Sequence, residues 1–160
     1  MDNSTKELTY QRVSKEILSV LAGEDNLTAR MATINCLLSQ AFPAFYWTGF
    51  YLVDPDKDHE LVVGPYQGTL GCLRIPFGQG VCGAAAAKAE TQVVEDVHAF
   101  SNHIACDVKS NSEIVVPVFD KSGVLIAVFD VDSTELASFN EVDKRHLEAL
   151  MSAVFLNQES

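Results

Sequence analysis

Two β-rich runs flank a short turn in Glu113-Ile-Val-Val-Pro-Val-Phe-Asp-Lys-Ser-Gly-Val-Leu-Ile-Ala-Val-Phe-Asp-Val131. Val, Ile and Phe, which are enriched in strands, make up most of both runs. The Asp120-Lys-Ser-Gly123 segment between them has the composition of a tight turn. The pattern therefore predicts an antiparallel hairpin with strands at residues 113–119 and 124–131.

More strand-like segments precede this hairpin. They are apolar or aromatic and bounded by turn residues, and they lie at residues 46–53, 61–63, 70–75 and 93–94. An Ala-rich segment at 82–88 predicts a short helix that opens at Gly80. A long polar connection follows at 95–112. The middle of the chain is therefore predicted to form a sheet with one helical insertion.

Helical periodicity marks both ends of the chain. Apolar stripes recur at helical spacing in residues 5–21 and 27–41, and Gly23 is a stop signal between them. Ser138-Phe-Asn-Glu141 has capping-box spacing and predicts the start of a last helix. The stripes consist of Val13, Ile17, Leu18 and Leu21; of Met31, Ile34, Leu38 and Phe42; and of Val142, Leu147, Leu150, Met151, Val154 and Phe155.

This order of elements predicts the fold class. An antiparallel sheet can bury one face under helices and leave its other face free. We therefore expect an α+β fold, with the N- and C-terminal helices packed on one face of an antiparallel sheet and a ligand pocket on the other. The sequence has no linker, repeat or low-complexity tract, so one domain across residues 1–160 is expected.

The net charge of −11 restricts the classes of partner. Nucleic-acid binding needs a basic surface, and an acidic protein is repelled by anionic lipid. No apolar run approaches the roughly 20 residues that cross a bilayer, and the polar N-terminus has no signal pattern. We therefore expect a cytoplasmic protein that binds neither nucleic acid nor membrane. A homodimer is compatible with the sequence, which does not determine the oligomeric state.

Acidic side chains occur where the hairpin should be apolar. Asp130 and Asp132 share one face of their strand, because side chains alternate along a strand, and Glu113 could face the same side. Converging carboxylates would attract an ammonium group and raise one another's pKa, so that one of them could act as a general acid. The alternative is a strand that ends at Phe129 and leaves both aspartates in a wet turn. The pattern alone favours this alternative.

Aromatic and glycine residues are further candidates for a binding site. Trp47 and Tyr51 lie on one side of the first strand, opposite Phe50 and Leu52, and could either cover an alkyl or S-methyl group or belong to the core. Gly78-Gln-Gly-Val-Cys-Gly83 precedes the Ala-rich helix, whose free N–H groups could hold a carboxylate. The glycine motif is weak evidence, since it matches no phosphate-loop pattern.

Four cysteines are too few for a disulfide-stapled secreted scaffold. Cys36 lies among apolar helical residues, where a structural role is expected. Cys106 lies in the long loop, where a nucleophilic thiol would be accessible. Asp107 beside it would disfavour the thiolate unless a cation or a ligand compensates. Cys72 and Cys82 are both candidates to close a disulfide with Cys106.

A metal site is another interpretation of the same region. His98, His103, Cys72, Cys82 and Cys106 could supply zinc ligands, but their spacings match no common structural zinc pattern. We therefore expect no metal and no cofactor. The sequence contains neither Cys-x-x-Cys nor Gly-x-Ser-x-Gly, which argues against a thioredoxin-like enzyme and against a serine nucleophile.

Eight stretches of the chain match one known pattern. They are Trp47-Thr-Gly-Phe-Tyr51, Gly64-Pro-Tyr-Gln-Gly68, Cys72-Leu-Arg-Ile-Pro-Phe-Gly78, Gly80-Val-Cys-Gly83, Val94-Glu-Asp-Val-His98, His103-Ile-Ala-Cys-Asp107, Ser110-Asn-Ser-Glu-Ile114 and Asp130-Val-Asp-Ser133. Together they resemble the free methionine-R-sulfoxide reductases, a family built on a GAF domain. An ordinary GAF sensor has no reason to carry these cysteines together with both aspartates.

The resemblance implies a redox role for the cysteines. Cys106 matches the nucleophile, which attacks the sulfoxide sulfur, releases methionine and becomes a sulfenic acid, the first rung of thiol oxidation. Cys72 and Cys82 match the resolving cysteines, one of which condenses with Cys106 to a disulfide. A thioredoxin-type reductant would then open this disulfide by exchange.

The resemblance also implies how the substrate is held. Trp47 and Tyr51 match an aromatic wall around the S-methyl group. Glu113, Asp130 and Asp132 match the substrate-binding acids, and Glu113 is the candidate that protonates the departing oxygen. Acids that await an α-ammonium lose their partner when that nitrogen is an amide, so free methionine sulfoxide would be preferred over protein-bound residues.

Two other functions remain open. A non-catalytic GAF sensor of a small molecule or of redox state would use the same fold without turnover. A zinc-stabilised structural module would use the cysteines as ligands. Turnover with a reductant separates the enzyme from the sensor, and stoichiometric zinc in the purified protein would identify the third class.

Overall fold

Helices lie at the ends of the chain and strands in the middle. The structure, a computed structural model, describes residues 1–104 and 106–157. The helices are α1 (Asn3–Val20), α2 (Leu27–Ala41), α3 (Gly80–Lys88) and α4 (Glu141–Met151). The strands are β1 (Trp47–Val53), β2 (Glu60–Gln67), β3 (Arg74–Pro76), β4 (Gln92–Val94), β5 (Ser112–Phe119) and β6 (Leu125–Ser133). A 3₁₀ turn at Val97–Ala99 follows β4, and a π-helical turn at Ser152–Leu156 follows α4.

In the described part of the chain, six strands form one antiparallel sheet in the order β3-β2-β1-β6-β5-β4. β5 and β6 form the predicted hairpin. Its turn is closed by the Asp120 carboxylate, which accepts hydrogen bonds from the backbone N–H groups of Ser122 and Val124. The sheet order puts β1 and β6 side by side at the centre, so the residues on these two strands share one surface.

The two faces of the sheet bury different groups of residues. Phe50, Ile114 and Phe129 face α1, α2 and α4 in one apolar cluster. Trp47 and Tyr51 face the other way, toward α3 and the loops. The alternation predicted for β1 is therefore confirmed, and so is the α+β class with the terminal helices on one face of the sheet.

Some strand boundaries differ from the predictions. β3 begins only at Arg74 and not at residue 70, because Gly68 adopts a φ of +126° and the Trp47 indole donates to the Thr69 carbonyl over 2.9 Å. These features hold residues 68–73 as a loop above Trp47. β6 continues to Ser133, since Asp132 still pairs with Glu113. The predicted end of the strand at Phe129 is wrong.

The start of α4 and one face of α1 also differ. The capping box is formed by Asn140 and Asp143, not by Ser138 and Glu141: the Asn140 side chain accepts from Val142 N, and the Asp143 carboxylate accepts from Asn140 N, each over 2.9 Å. Ser138 instead donates its hydroxyl to Ser133 Oγ. In α1, Leu18 is 44% exposed, so its assignment to the apolar stripe is wrong.

None of the helices in the described ranges has the length and apolar character that crossing a bilayer requires.

The Lys6 ammonium of α1 and the Asp143 carboxylate of α4 form a buried ion pair at 2.5 Å. The Tyr10 hydroxyl donates to the same carboxylate over 2.6 Å. This contact joins the first and last helices on the face of the sheet opposite the pocket.

Candidate active site

A pocket opens on the face of the sheet that α1, α2 and α4 leave free. Its floor is the face of β1, β5 and β6 turned away from those helices, and its wall is the first turn of α3. Its mouth lies between the loop 68–73 and residues 103, 104 and 106–110. The loops and the sheet therefore enclose a site for one small ligand.

Three carboxyl groups converge on the floor of the pocket. Strand register brings them together, because Glu113 is opposite Asp132 in the β5–β6 pair and Asp130 is on the same face two residues earlier. Glu113 and Asp130 are buried, with 6% and 4% of their surface exposed, and Asp132 is half-buried. The wet-turn interpretation of Asp130 and Asp132 is therefore wrong.

Burial and mutual repulsion change the acidity of this carboxyl cluster. Loss of hydration raises the pKa of Glu113 well above its ordinary value, and the nearby charges of Asp130 and Asp132 raise it further. Burial likewise raises the pKa of Asp130 and of Asp132. Among the described residues, Asp130 Oδ1 is buried without a hydrogen-bond partner. Buried carboxyl groups this close together favour the protonated form or a bound cation.

Cys82 extends the cluster with a buried thiol. Its Sγ, in the first turn of α3, lies 3.9 Å from Glu113 Oε2 and can donate to it. Burial, followed by the charges of Asp130 and Glu113, raises the pKa of Cys82 well above its ordinary value. Cys82 is therefore a neutral thiol at physiological pH, which makes it a poor nucleophile.

An aromatic wall closes one side of the pocket. Trp47 stacks on Tyr51 with ring centroids 5.5 Å apart, and on Tyr66 at 5.0 Å. Gly49 makes this packing possible, because a Cβ there would lie 2.7 Å from the Trp47 ring. Burial, followed by the charge of Asp130, raises the pKa of Tyr51. The wall is thus apolar, with one neutral hydroxyl.

The cysteines fall into three different environments. Cys72 and Cys106 form a disulfide with Cα atoms 5.4 Å apart, which joins the two mouth loops. Cys106 is exposed and also lines the pocket, whereas Cys82 is buried and free. Cys36 is free and half-buried, and Gln40 Nε2 lies 3.6 Å from its sulfur. Of the two candidates for pairing with Cys106, the structure therefore joins Cys72 to it.

Comparison with known proteins identifies the family. The GAF domain family model matches residues 38–155. Escherichia coli "Free methionine-R-sulfoxide reductase" is 42% identical, covering 89% of this chain and 84% of that protein. Dictyostelium discoideum "GAF domain-containing protein A" is also 42% identical, covering 94% and 93%. A free methionine-R-sulfoxide reductase from Neisseria meningitidis, solved in complex with its substrate, superposes with a TM-score of 0.89 at 47% identity, covering 96% and 89%.

This chain belongs to the free methionine-R-sulfoxide reductase family. Family membership confirms the resemblance found in the sequence, and the GAF fold with it. The catalytic and substrate-binding residues that the resemblance implied are at the pocket or, for Cys72, bonded to a residue that lines it: Trp47, Tyr51, Cys72, Cys82, Cys106, Glu113, Asp130 and Asp132.

Other parts of the reductase site were not predicted. Tyr66 extends the aromatic wall, and Gly71 lets the loop approach it, since a Cβ there would lie 2.9 Å from the Trp47 ring. Asp107 forms hydrogen bonds at the pocket mouth, and Ser110 is a buried lining residue. Tyr66 and Ser110 lie inside the stretches that resemble the family, but the sequence does not distinguish them from their neighbours there. Their place at the pocket depends on three-dimensional packing.

The predicted anion site at the start of α3 lies at the pocket, but one of its N–H groups already has a hydrogen-bond partner. Gln79, Gly80 and Val81 line the pocket, and Gln79 caps the helix without a side-chain hydrogen bond. Gly80 N donates instead to the Asn102 carbonyl over 2.7 Å. The Gly80 N–H is therefore already engaged, and the use of the remaining N–H groups of this turn for a carboxylate stays a prediction.

The zinc ligands suggested by the sequence are not assembled in the reductase. Cys72 and Cys106 form a disulfide with each other. His98 Nε2 forms a hydrogen bond with Asn111 Oδ1 over 3.0 Å. His103 lines the pocket, where burial, followed by repulsion from His98, lowers its pKa. A different group, Cys82 with Glu113 and Asp130, places one potential ligand atom from each residue within 4.8 Å of the others. That group lies where the pocket floor meets the first turn of α3.

Proposed function

We propose that this protein reduces free methionine-R-sulfoxide to methionine. The observation that carries the proposal is the Cys72–Cys106 disulfide at the mouth of a pocket whose floor is a cluster of buried carboxyl groups. Such a pocket offers redox-active sulfur next to a site that attracts positive charge. The name of the E. coli relative and its 42% identity support the same activity here.

The substrate would be held by three contacts. Its S-methyl group would lie against Trp47 and Tyr51, where an aromatic face contacts sulfur and methyl favourably. Its α-ammonium would take the unpartnered Oδ1 of Asp130 together with Asp132. Its α-carboxylate would lie toward the N–H groups that open α3. The sulfoxide would then point to the pocket mouth, where Cys106 lies.

The carboxyl floor also accounts for a preference for the free amino acid. A peptide-bound methionine sulfoxide carries a neutral amide where the free molecule carries an ammonium group. Binding it would bury Asp130 and Glu113 further without giving either a cationic partner. A polar site that rejects a ligand lacking its partner group discriminates strongly, because the buried groups remain unpaired.

The first chemical step transfers oxygen from the substrate to Cys106. The Cys106 thiolate attacks the sulfoxide sulfur, and protonated Glu113 gives its proton to the oxygen. The raised pKa of Glu113 favours the protonated form that can give this proton. Methionine leaves with two more electrons, and Cys106 becomes a sulfenic acid.

The second step closes the disulfide. The Cys72 thiol attacks the Cys106 sulfur, the S–O bond breaks, and the oxygen leaves as water. The 5.4 Å separation of the two Cα atoms suits this bond. We assign Cys72 rather than Cys82 to this step, because Cys72 is bonded to Cys106 whereas Cys82 is buried and free. A thioredoxin-type dithiol then reduces the disulfide by exchange, which regenerates both thiols.

A coupled assay tests the proposed function. Free methionine-R-sulfoxide, thioredoxin, thioredoxin reductase and NADPH are mixed with the protein, and NADPH oxidation and methionine are both measured. We expect turnover with the free R epimer and far less with an N-acetylated one. Substrate binding without NADPH oxidation or methionine formation would instead identify a GAF sensor and reject the enzyme.

We propose further that residues 1–160 act as one GAF domain that works in a reducing compartment such as the cytoplasm. The buried contact of Lys6 and Tyr10 with Asp143 supports the first point, since it makes α1 part of the same core as α4. The need for a dithiol reductant supports the second. Limited proteolysis tests whether the chain is one domain, and cell fractionation tests its compartment. Sedimentation equilibrium tests whether it forms a homodimer.

A further inference from the structure

Asp107 joins the two loops that form the pocket mouth. Its Oδ2 accepts hydrogen bonds from the Tyr46 hydroxyl over 2.8 Å and from the Thr69 hydroxyl over 2.5 Å. Its Oδ1 accepts from the backbone N–H of Lys109 over 2.8 Å. Asp107 directly follows Cys106, and Thr69 precedes Cys72 by three residues. One carboxylate therefore links the loop of each redox cysteine.

The groups that donate to Asp107 are themselves fixed to the sheet. Tyr46 N donates to the Asp132 carbonyl over 2.9 Å, at the edge of the pocket floor. The Thr69 carbonyl accepts from the Trp47 indole over 2.9 Å. Asp107 thus holds the Cys106 loop against the start of β1. Hydrogen bonding by Thr69, by Lys109 N and by Tyr46 lowers the pKa of Asp107, so the carboxylate stays charged.

The disulfide makes the same connection between the loops, but only in the oxidised protein. When the disulfide is open, the Asp107 hydrogen bonds are contacts that can still keep Cys106 beside Cys72. Keeping two reacting groups in register raises their effective concentration by orders of magnitude. A sulfenic acid that waits for its partner is exposed to other thiols and to further oxidation.

We propose that Asp107 is a positioning residue, which holds the Cys106 loop against the Cys72 loop so that the sulfenic acid is resolved quickly. The proposal rests on the proposed reductase function. It assigns a favourable role to a carboxylate whose charge alone would oppose a neighbouring thiolate. Three donors engage that charge, which reduces its effect on Cys106.

The test follows Cys106 after one oxidising event. The reduced protein is mixed with excess free methionine-R-sulfoxide without a reductant, in the presence of a cyclic 1,3-diketone that labels sulfenic acids. Methionine, disulfide and labelled Cys106 are then measured over time by mass spectrometry. The wild type should label little. Cys72→Ser, which cannot close the disulfide, should label almost completely.

The variant of interest is Asp107→Ala. We expect disulfide closure to slow by about tenfold or more, and the label on Cys106 to rise toward the level of Cys72→Ser. The rate at which the first methionine forms should fall by less than the rate of disulfide closure. Asp107→Asn keeps one acceptor oxygen and should recover part of the rate. Closure and labelling equal to wild type in Asp107→Ala would overturn the proposal.

Two controls separate positioning from general damage. Asp120→Ala also removes a carboxylate that accepts from turn N–H groups, but far from the pocket, and should label like wild type. If Asp107→Ala does not fold, Tyr46→Phe combined with Thr69→Val removes the same two hydroxyl donors and must give the same increase in label. Absence of both methionine and label in Cys72→Ser would reject the reductase function itself.

Discussion

At the scale of single residues, the three pocket cysteines differ by environment rather than by sequence context. Cys106 is exposed, Cys72 is its partner, and Cys82 is buried beside Glu113. The sequence left Cys72 and Cys82 equivalent, because spacing along a chain does not determine which loop folds back. The structure gives them separate roles that substitution can distinguish.

We predict different defects for the three cysteine variants. Cys106→Ser should form no methionine, even in a single turnover, because the nucleophile is gone. Cys72→Ser should form one equivalent and then stop. Cys82→Ser should continue to cycle with thioredoxin, since the Cys72–Cys106 pair remains intact. Methionine counted per protein, with and without reductant, checks this, and arrest of Cys82→Ser after one equivalent would contradict the assignment of Cys72.

Substitution of the pocket aspartates should weaken binding of the free amino acid. Asp130→Asn and Asp132→Asn each remove a charge-assisted contact with the ammonium group, which contributes on the order of 1–3 kcal/mol. KM for free methionine-R-sulfoxide should therefore rise by about 5- to 150-fold. Asp56→Asn, an exposed turn carboxylate, is the control and should not change KM. Unchanged KM in both pocket variants would exclude the ammonium contact.

At the scale of elements, the β5–β6 pair places acids in a sheet interior, and stability should depend on pH as a result. Folding raises the pKa of Glu113, so the folded state binds more protons than the unfolded one above pH ~4.3. The stability that this group contributes is complete below that pH and is lost as pH rises through the folded pKa. A bound ammonium group should offset the loss.

We therefore predict that the free energy of unfolding of Glu113→Gln falls less with rising pH than that of the wild type. Between the unfolded and the folded pKa of Glu113, the free energy of unfolding of the wild type should fall by up to about 1.4 kcal/mol more per pH unit than that of the variant. The reason is that unfolding releases one proton from Glu113 in this range. Urea unfolding between about pH 5 and about pH 8 measures it. Exposed Glu90→Gln is the matched control, and parallel curves for wild type and Glu113→Gln would refute the prediction.

The contact between α1 and α4 should carry much of the stability of the helical layer. Asp143→Ala would remove the carboxylate that accepts from the buried Lys6 ammonium and from the Tyr10 hydroxyl, and would leave Lys6 only the Ser138 carbonyl. Breaking a buried pair in this way costs about 3–5 kcal/mol. Chemical denaturation of Asp143→Ala should show such a loss. Glu16→Ala, in the exposed pair with Arg12, should change little, and equal effects of the two substitutions would contradict a special role for Asp143.

At the scale of the whole molecule, local patterns predicted the architecture better than they predicted the site. Helical stripes, the hairpin and strand alternation define α2, β1 and β5 closely, since each depends on short-range periodicity. The convergence of Glu113 with Asp132 depends on register between strands, which short-range pattern leaves open. The wet-turn alternative failed for this reason. The link from Asp107 to Thr69 was missed because it joins two loops that are 38 residues apart in the sequence.

Recycling should depend on the surface around the disulfide. Leu70, Leu73 and Val108 are 78%, 69% and 83% exposed, and they flank Cys72 and Cys106 along the chain. A protein reductant must contact these side chains to reach the disulfide, whereas a small dithiol need not. Leu73→Asp should therefore lower the rate with thioredoxin several-fold and leave the rate with dithiothreitol unchanged. Leu8→Asp, 68% exposed on α1, should affect neither rate. Equal loss with both reductants would mean that Leu73 acts on the chemistry and not on docking.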